Sequence, residues 1–336
     1  MRRLSGCLVA LSAGHFVLLT ALIICISASF VTQAAEISFV KQQGKVQLCI
    51  DGKSVATYVY DDPNISRPYF AKVCSPGRIQ VTRNLPPIAG QDRMDHPEFH
   101  PGIWLAFGDL SGNDYWRLKS RVVHIAFHEA PHVADGVGAF AVENHYLDTA
   151  DPGQIMCREL CRYTLRVLPA GYLLTWDSTF TSDREFYFGD QEEMGLGVRV
   201  ATPLRAERKT DGGLLPGNGT VVDAVGRHNE AEIWGNAAAW CDYSGETDGQ
   251  SVGITIFCHP ENFRPSWWHV RDYGFITANP FGRAALRQGP ESQVVVKPGE
   301  KLRLRFGVLM HGRLESLPEQ LSAAYQAYAA SDSASD

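Results

Sequence analysis

No stretch of this 336-residue chain is rich in Lys and Arg, and the formal net charge is −6. Phosphate backbones are gripped by clustered basic side chains, so nucleic acid is excluded as a partner, while a small acidic or neutral ligand stays open. Several catalytic signatures are missing too. There is no Ser nucleophile elbow, no HExxH, no Walker loop and no Rossmann glycine pattern. Helical periodicity is scarce. Only the C-terminus carries it: Pro318 suits a first turn, Leu321, Ala324, Tyr325 and Tyr328 form an i, i+3, i+4, i+7 stripe, and Ser331–Asp336 reads as a disordered polar tail.

Long apolar runs are limited to one, from about Leu8 to Val31, behind Arg2 and Arg3 and ahead of Ala34 and Ala35. That pattern predicts a signal peptide over residues 1–35 and an exported chain, periplasmic or extracellular. The run is also long enough to stay as a membrane anchor, so the chain meets a membrane only if the leader is retained. Of eight cysteines, Cys7 and Cys25 fall in the leader. Export permits disulfides among the other six. Cys157 and Cys161 resemble a CxxxC ligand pair by spacing, but on a strand they lie roughly 13 Å apart, too far for one bond or one metal, so buried thiols or bonds to other partners fit better.

What is present is a series of short period-two segments. They are Val46–Ile50, Ser54–Tyr60, Arg121–His128, Ala139–Leu147, Tyr163–Leu168, Tyr172–Phe180, Ser251–Cys258 and Leu302–Met310. Glycines and prolines fall mainly between them, with Pro169-Ala170-Gly171 turning one strand into the next. At 45% hydrophobic the chain can bury a large core. The expectation is a mainly β fold: a single large antiparallel β-sandwich over 36–330 with a C-terminal helix. Thr210–Thr220, dense in glycine, reads as a loop.

Three polar clusters could carry chemistry. In Ile256–Gly282, alternation puts Trp267, His269, Arg271 and Tyr273 on one face of an extended segment and Trp268, Val270 and Asp272 on the other. Flat aromatics beside hydrogen-bonding side chains suit a sugar, whose C–H face stacks and whose hydroxyls need fixed partners. A salt-bridged surface strand pair is the plainer alternative. The second cluster, Asp92–Trp116, holds His96 and His100 among prolines that forbid a regular helix. Either imidazole can act as general acid or base, with Asp95 or Glu98 to orient it. They could equally join His145, His259 or His269 around a divalent metal. In the third, Gly189–Val200, acids precede glycines and then a strand pattern. Glu193 is the preferred base and Glu192 the reserve, against a solvated acidic turn.

Several motifs in order resemble a known family. Arg67-Pro68-Tyr69-Phe70, Asp95-His96 through His100-Pro101-Gly102-Ile103-Trp104, Gly189-Asp190 through Gly195-Leu196-Gly197-Val198-Arg199, Asp242-Tyr243-Ser244-Gly245, Trp268-His269-Val270-Arg271-Asp272-Tyr273-Gly274 and Asn279-Pro280-Phe281-Gly282 are similar to those of a bacterial family of exported proteins. It is a domain-of-unknown-function family often given the automatic label "methane oxygenase PmoA-like". The resemblance runs from about Ser66 to Gly312. It does not imply a methane oxygenase, because a membrane-embedded subunit needs several spanning helices and this chain offers only its leader. It implies, by analogy, a galactose-mutarotase-like supersandwich. Relatives resemble one another in a compact Asp-His-Pro-His-His-Arg-Gly loop, where this chain reads Asp-His-Pro-Glu-Phe-His-Pro-Gly.

These readings converge on an exported carbohydrate-processing enzyme, a glycoside hydrolase, lyase or sugar isomerase. His96, His100, Glu193 and His269 are the expected acid/base groups. Arg67, Tyr69, Trp104, His259, Trp268, Arg271 and Asp272 are the expected contacts to a carbohydrate or glycoside. Two alternatives stay open: a non-catalytic glycan-binding protein, and a metal-dependent hydrolase or lyase with His96, His100 and His269 as ligands. The cofactor is unknown, a divalent metal being the one the histidines suggest.

Overall fold

Period-two segments become strands here because each has one face to bury, and the strands assemble into two eight-stranded antiparallel sheets. The computed structural model describes residues 35–210, 213–315 and 317–330, so the expected leader and polar tail lie outside the described residues. The first sheet runs in the order β1 (Ile37–Gln42), β2 (Lys45–Ile50), β3 (Lys53–Val59), β4 (Tyr69–Ala71), β5 (Ile103–Phe107), β11 (Met194–Arg199), β18 (Phe275–Asn279), β17 (Trp267–Arg271). The second runs β14 (Gly219–Asp223), β15 (Trp240–Thr247), β16 (Gln250–Cys258), β20 (Leu302–His311), β9 (Gly171–Thr181), β8 (Ile155–Leu168), β7 (Val137–Leu147), β6 (Val122–Ala134).

Two small ribbons, β10 (Phe186–Phe188) with β19 (Val294–Val296) and β12 (Glu207–Thr210) with β13 (Gly213–Pro216), lie outside the main sheets. The second ribbon corrects the expectation of a loop over Thr210–Thr220. Glycine lowers strand propensity, yet backbone pairing does not need side chains, and Thr210 pairs with Gly213. The turn at Pro169-Ala170 joins β8 to β9 with Leu168 opposite Gly171.

The inner faces of the sheets form one core. Phe70 of β4 meets Trp176 of β9 with ring centroids 5.7 Å apart, and Phe107 of β5 meets Phe180 of β9 at 5.5 Å. Each such buried side chain contributes about 1.5–3 kcal/mol, so this layer dominates stability. Cys157 and Cys161 are buried thiols within it, and all six cysteines among the described residues are free. The outer face of the second sheet is covered by helix α2 (Leu317–Ala330), whose Leu321, Ala324 and Tyr328 pack on Leu173, Trp240, Phe257 and Leu309. A shorter helix, α1 (Asn229–Ile233), flanks β17. On the outer face of the first sheet a third cluster of Tyr69, Ala71, Trp104, Ala106, Trp116 and Phe275 supports the polar loops.

Candidate functional site

Register aligns the site. Trp104 on β5 lies opposite Gly197 on β11, Gly197 opposite Thr277 on β18, and Thr277 opposite His269 on β17, so these residues form one row across the outer face. A Cβ at Gly197 would sit 2.7 Å from the Trp104 ring, which explains why only glycine lets the indole lie across β11. The indole in turn supports His100. That imidazole packs against both Trp104 (5.0 Å, 13°) and Phe275 (4.8 Å, 22°), which also touch each other at 6.3 Å, with Trp116 edge-on at 6.1 Å. Gly102, at φ +139, steers the chain from His100 into β5, and a Cβ there would lie 2.2 Å from the Phe70 carbonyl oxygen.

Buried arginines hold the loop around His100. Arg67 donates to the carbonyls of Phe99, Tyr115 and Trp116, and Arg83 donates to those of Arg93, Asp95 and His96. Burial brings Arg67 down to about 9 and Arg83 to about 10, which leaves both charged at neutral pH. Arg199 donates through Nη2 to Asp95 at 2.8 Å and through Nη1 to Nδ1 of His100 at 3.5 Å. The Tyr273 ring lies between the guanidinium groups of Arg93 (4.2 Å) and Arg199 (4.7 Å). Burial first, and then the Arg199 charge, holds the His100 pKa well below the ordinary histidine value, so the ring is neutral at physiological pH.

His269, 5% exposed, projects from β17. Its Nδ1 donates to the backbone carbonyl of Glu192 at 3.1 Å, and its Nε2 lies 3.6 Å from the Glu192 carboxylate. Burial, and next the charge of Arg271, pulls its pKa down to about 3. The strand-to-loop segment that carries Glu192 is pinned from several sides. Asn279 donates to the carbonyls of Gln191 and Glu192, and the Asp190 carboxylate accepts from the backbone N–H groups of Ala284, Ala285 and Ser292. The acidic cluster therefore divides: Asp190 is structural, Glu192 faces His269 and Arg271, and Glu193 pairs with Arg117 at the rim.

His96, His100, Glu193 and His269 line one cavity of about 80 Å³ together with Phe99, Trp116, Arg117, Tyr273 and Phe275. His96 is exposed, with φ +46, and its ring centroid is 5.1 Å from that of His100. Arg271 and Asp272 are half-buried beside it, tied to Glu230: Arg271 donates to the carboxylate at 2.9 Å, and Asp272 accepts from the Glu230 backbone N–H at 2.8 Å. The remaining expected ligand contacts are placed elsewhere. Trp268 is 0% exposed on the inner face, its N–H donated to the Ala238 carbonyl, and Trp104 is 0% exposed beneath His100, so neither offers a face for stacking. Arg67 is spent on three carbonyls, and the buried Tyr69 hydroxyl donates to Asp62 at 2.7 Å. His259 packs on Tyr328 of α2, on the other sheet.

No group of three or more His, Cys, Asp or Glu side chains converges as a metal site among the described residues. The surrounding guanidinium groups of Arg67, Arg83 and Arg199 oppose a cation, and Arg199 occupies Nδ1 of His100. The sequence assigns no role to Arg199, Arg117, Trp116 or Phe275, which the fold brings to His100 and its cavity. Arg199 was detectable as the outward position two after Gly197 on a strand pattern; Phe275 gave no such sign. A larger cavity, about 710 Å³, opens over the second sheet, where Arg162 pairs with Glu129 and Arg303 with Asp177.

Residues 45–326 match DUF6807, a family of unknown function. No curated protein matches the chain. Among solved structures, the chain is similar to the alpha-galactosidase from Lactobacillus brevis at 8% identity and TM-score 0.42, covering 88% of this chain and 42% of that one. It is also similar to the galactose 1-epimerase from Lactobacillus acidophilus NCFM at 11% identity and TM-score 0.40, covering 83% of this chain and 100% of that one. The chain thus spans less than half the length of the galactosidase.

Proposed function

We propose that this chain, which belongs to the DUF6807 family, is an exported carbohydrate-processing enzyme that works by histidine acid/base chemistry. The observation that carries the reading is the pair His100 and His269: two buried, neutral imidazoles that line one small cavity floored by aromatic rings. Burying a titratable ring away from water has a cost, and perturbed groups gathered in a cleft support the reading of a catalytic centre. The rim favours a polyhydroxylated ligand. Arg117 with Glu193, and Arg271 with Glu192 and Glu230, set donors beside acceptors, matching hydroxyls that both give and receive hydrogen bonds. A cavity of 80 Å³ holds about two or three waters or one end of a sugar, so the bulk of the ligand rests on the rim.

The binding-protein reading loses support because the expected stacking platforms, Trp104 and Trp268, are fully buried. The test is incubation of the protein, beside His100→Ala and His269→Gln variants, with a panel of oligosaccharides and oxidised glycosides, read by mass spectrometry. A product formed by the wild type and lost in both variants supports catalysis. Ligand retained without any product overturns it in favour of binding.

A further inference from the structure

Resting on the site just proposed, we infer that its two imidazoles are locked in opposite tautomers, so that the cavity presents one hydrogen-bond donor, His100 Nε2–H, and one proton acceptor, His269 Nε2. A guanidinium has only donors, so the Nδ1 of His100 that meets Arg199 at 3.5 Å must be the acceptor, and the ring proton sits on Nε2. A carbonyl has only acceptors, so the Nδ1 of His269 that meets the Glu192 oxygen at 3.1 Å must carry the proton, and Nε2 keeps its lone pair.

Each ring is also prevented from changing state. His100 is buried against Trp104, Phe275 and Trp116, which hinder a ring flip, and Asp95 fixes Arg199 behind it. Arg199, His96, Arg83 and Arg67 all disfavour protonation of His100, and Arg117, Glu193, Tyr273 and His269 share its cavity. Facing His269 are Arg271, which disfavours protonation, and the Glu192 carboxylate at 3.6 Å. That carboxylate is too far to bond the neutral ring but close enough to steady an imidazolium formed in passing. A positive charge behind Nδ1 of His100 withdraws electron density and sharpens Nε2–H as a donor.

One neutral donor and one neutral base suit a defined class of substrate: a sugar with a carbonyl next to a C–H bond. His269 Nε2 forms a bond to that proton, the C–H electron pair becomes a C=C bond, and the carbonyl π pair moves onto oxygen, where His100 Nε2–H receives it. Returned to the opposite face of the same carbon once the intermediate has turned over, the proton gives the epimer; returned to the former carbonyl carbon, with His100 giving its Nε2 proton to the first oxygen and taking one from the neighbouring hydroxyl, it gives the isomer. No oxidant or second reactant is needed, so the reaction is epimerisation or isomerisation.

The test needs no substrate. Long-range ¹H–¹⁵N spectra of histidine-labelled protein at pH 5, 6, 7 and 8 report the tautomer of each ring. The expected result is His100 protonated at Nε2 and His269 at Nδ1, both unchanged over that range, with Arg199→Met shifting His100 alone. Two rings in the same tautomer, or either ring charged at pH 6, overturn the inference whether or not the variant folds. A folded Arg199→Met with His100 unmoved overturns it as well. Because the spectra stand apart from turnover, opposite tautomers in a protein that processes no sugar would sink the function and leave the inference intact.

Discussion

Arg199 bridges Asp95 and His100, donating to the carboxylate at 2.8 Å and to Nδ1 of the imidazole at 3.5 Å. Asp95 thus acts on His100 at one remove. Instead of attracting a second proton onto the ring, as a carboxylate in direct contact would, the triad places a cation against it and keeps it neutral. The sequence offered Asp95 as a partner for the neighbouring histidine, and the intervening guanidinium reverses what that partnership does.

Gly197 is the thinnest point of the floor. Substitution Gly197→Ala would set a methyl 2.7 Å from the Trp104 ring, in a cluster with no slack. Overpacking of this kind costs about 1–3 kcal/mol, and the displaced indole would carry His100 with it. The variant should therefore melt lower and lose most of its turnover. Calorimetry with a turnover assay checks this; unchanged activity would show that Trp104 does not set the position of His100.

Acid should weaken the fold through His269. The ring has a pKa of about 3 in the fold and titrates near 6.5 when unfolded, so between those values the unfolded state binds a proton that the native state refuses. Stability on this account is complete above 6.5 and declines toward pH 3, by about 1.4 kcal/mol per unit. His269→Gln keeps a donor for the Glu192 carbonyl and should flatten that slope, leaving the part owed to His100, whose pKa is lowered in the same direction. Urea midpoints at pH 7, 6 and 5 give the comparison. Identical slopes for wild type and variant would mean that His269 is charged in the fold.

His311 on β20 behaves in the opposite sense. It is buried against Asp242, Nε2 to Oδ1 2.9 Å, and the carboxylate raises its pKa despite the burial. A raised folded value contributes stability that is present below about 6.5 and lost as pH climbs through the folded pKa. Removing one partner of a buried ion pair costs about 3–5 kcal/mol. His311→Gln should hence be far more damaging at pH 6 than at pH 9, a difference that thermal melts at the two pH values will show or deny.

Strands with a single buried face were legible. β9, which alternates, is located almost to its ends, as are the stripe of α2 and, beneath that helix, β16 and β20, whose long runs of branched and aromatic residues are buried almost throughout. β5 and β11 were not, because the loops over the first sheet bury both faces: Ile103–Phe107 and Met194–Arg199 are buried at every position, which erases the alternation. At the site, His96, His100, Glu193 and His269 were identified as chemistry-bearing, and they share one cavity. Arg67 and Trp268 look like ligand contacts in the sequence because a guanidinium or indole reads alike whether it meets solvent, a carbonyl or the core. The face alternation of Trp267, His269 and Arg271 against Trp268 and Val270 already placed Trp268 on the side that turned out to be the core.

The most direct test of the central claim is solvent exchange. Sugars carrying a carbonyl, with non-oxidised sugars as controls, are incubated in D₂O with the protein and with His269→Gln, and each sugar is weighed by mass spectrometry. The account predicts a gain of about one mass unit on a carbonyl sugar with the wild type, reduced by about 10²–10⁴-fold in rate with the variant. Exchange that persists undiminished in His269→Gln, or no exchange into any sugar by the wild type, would contradict it.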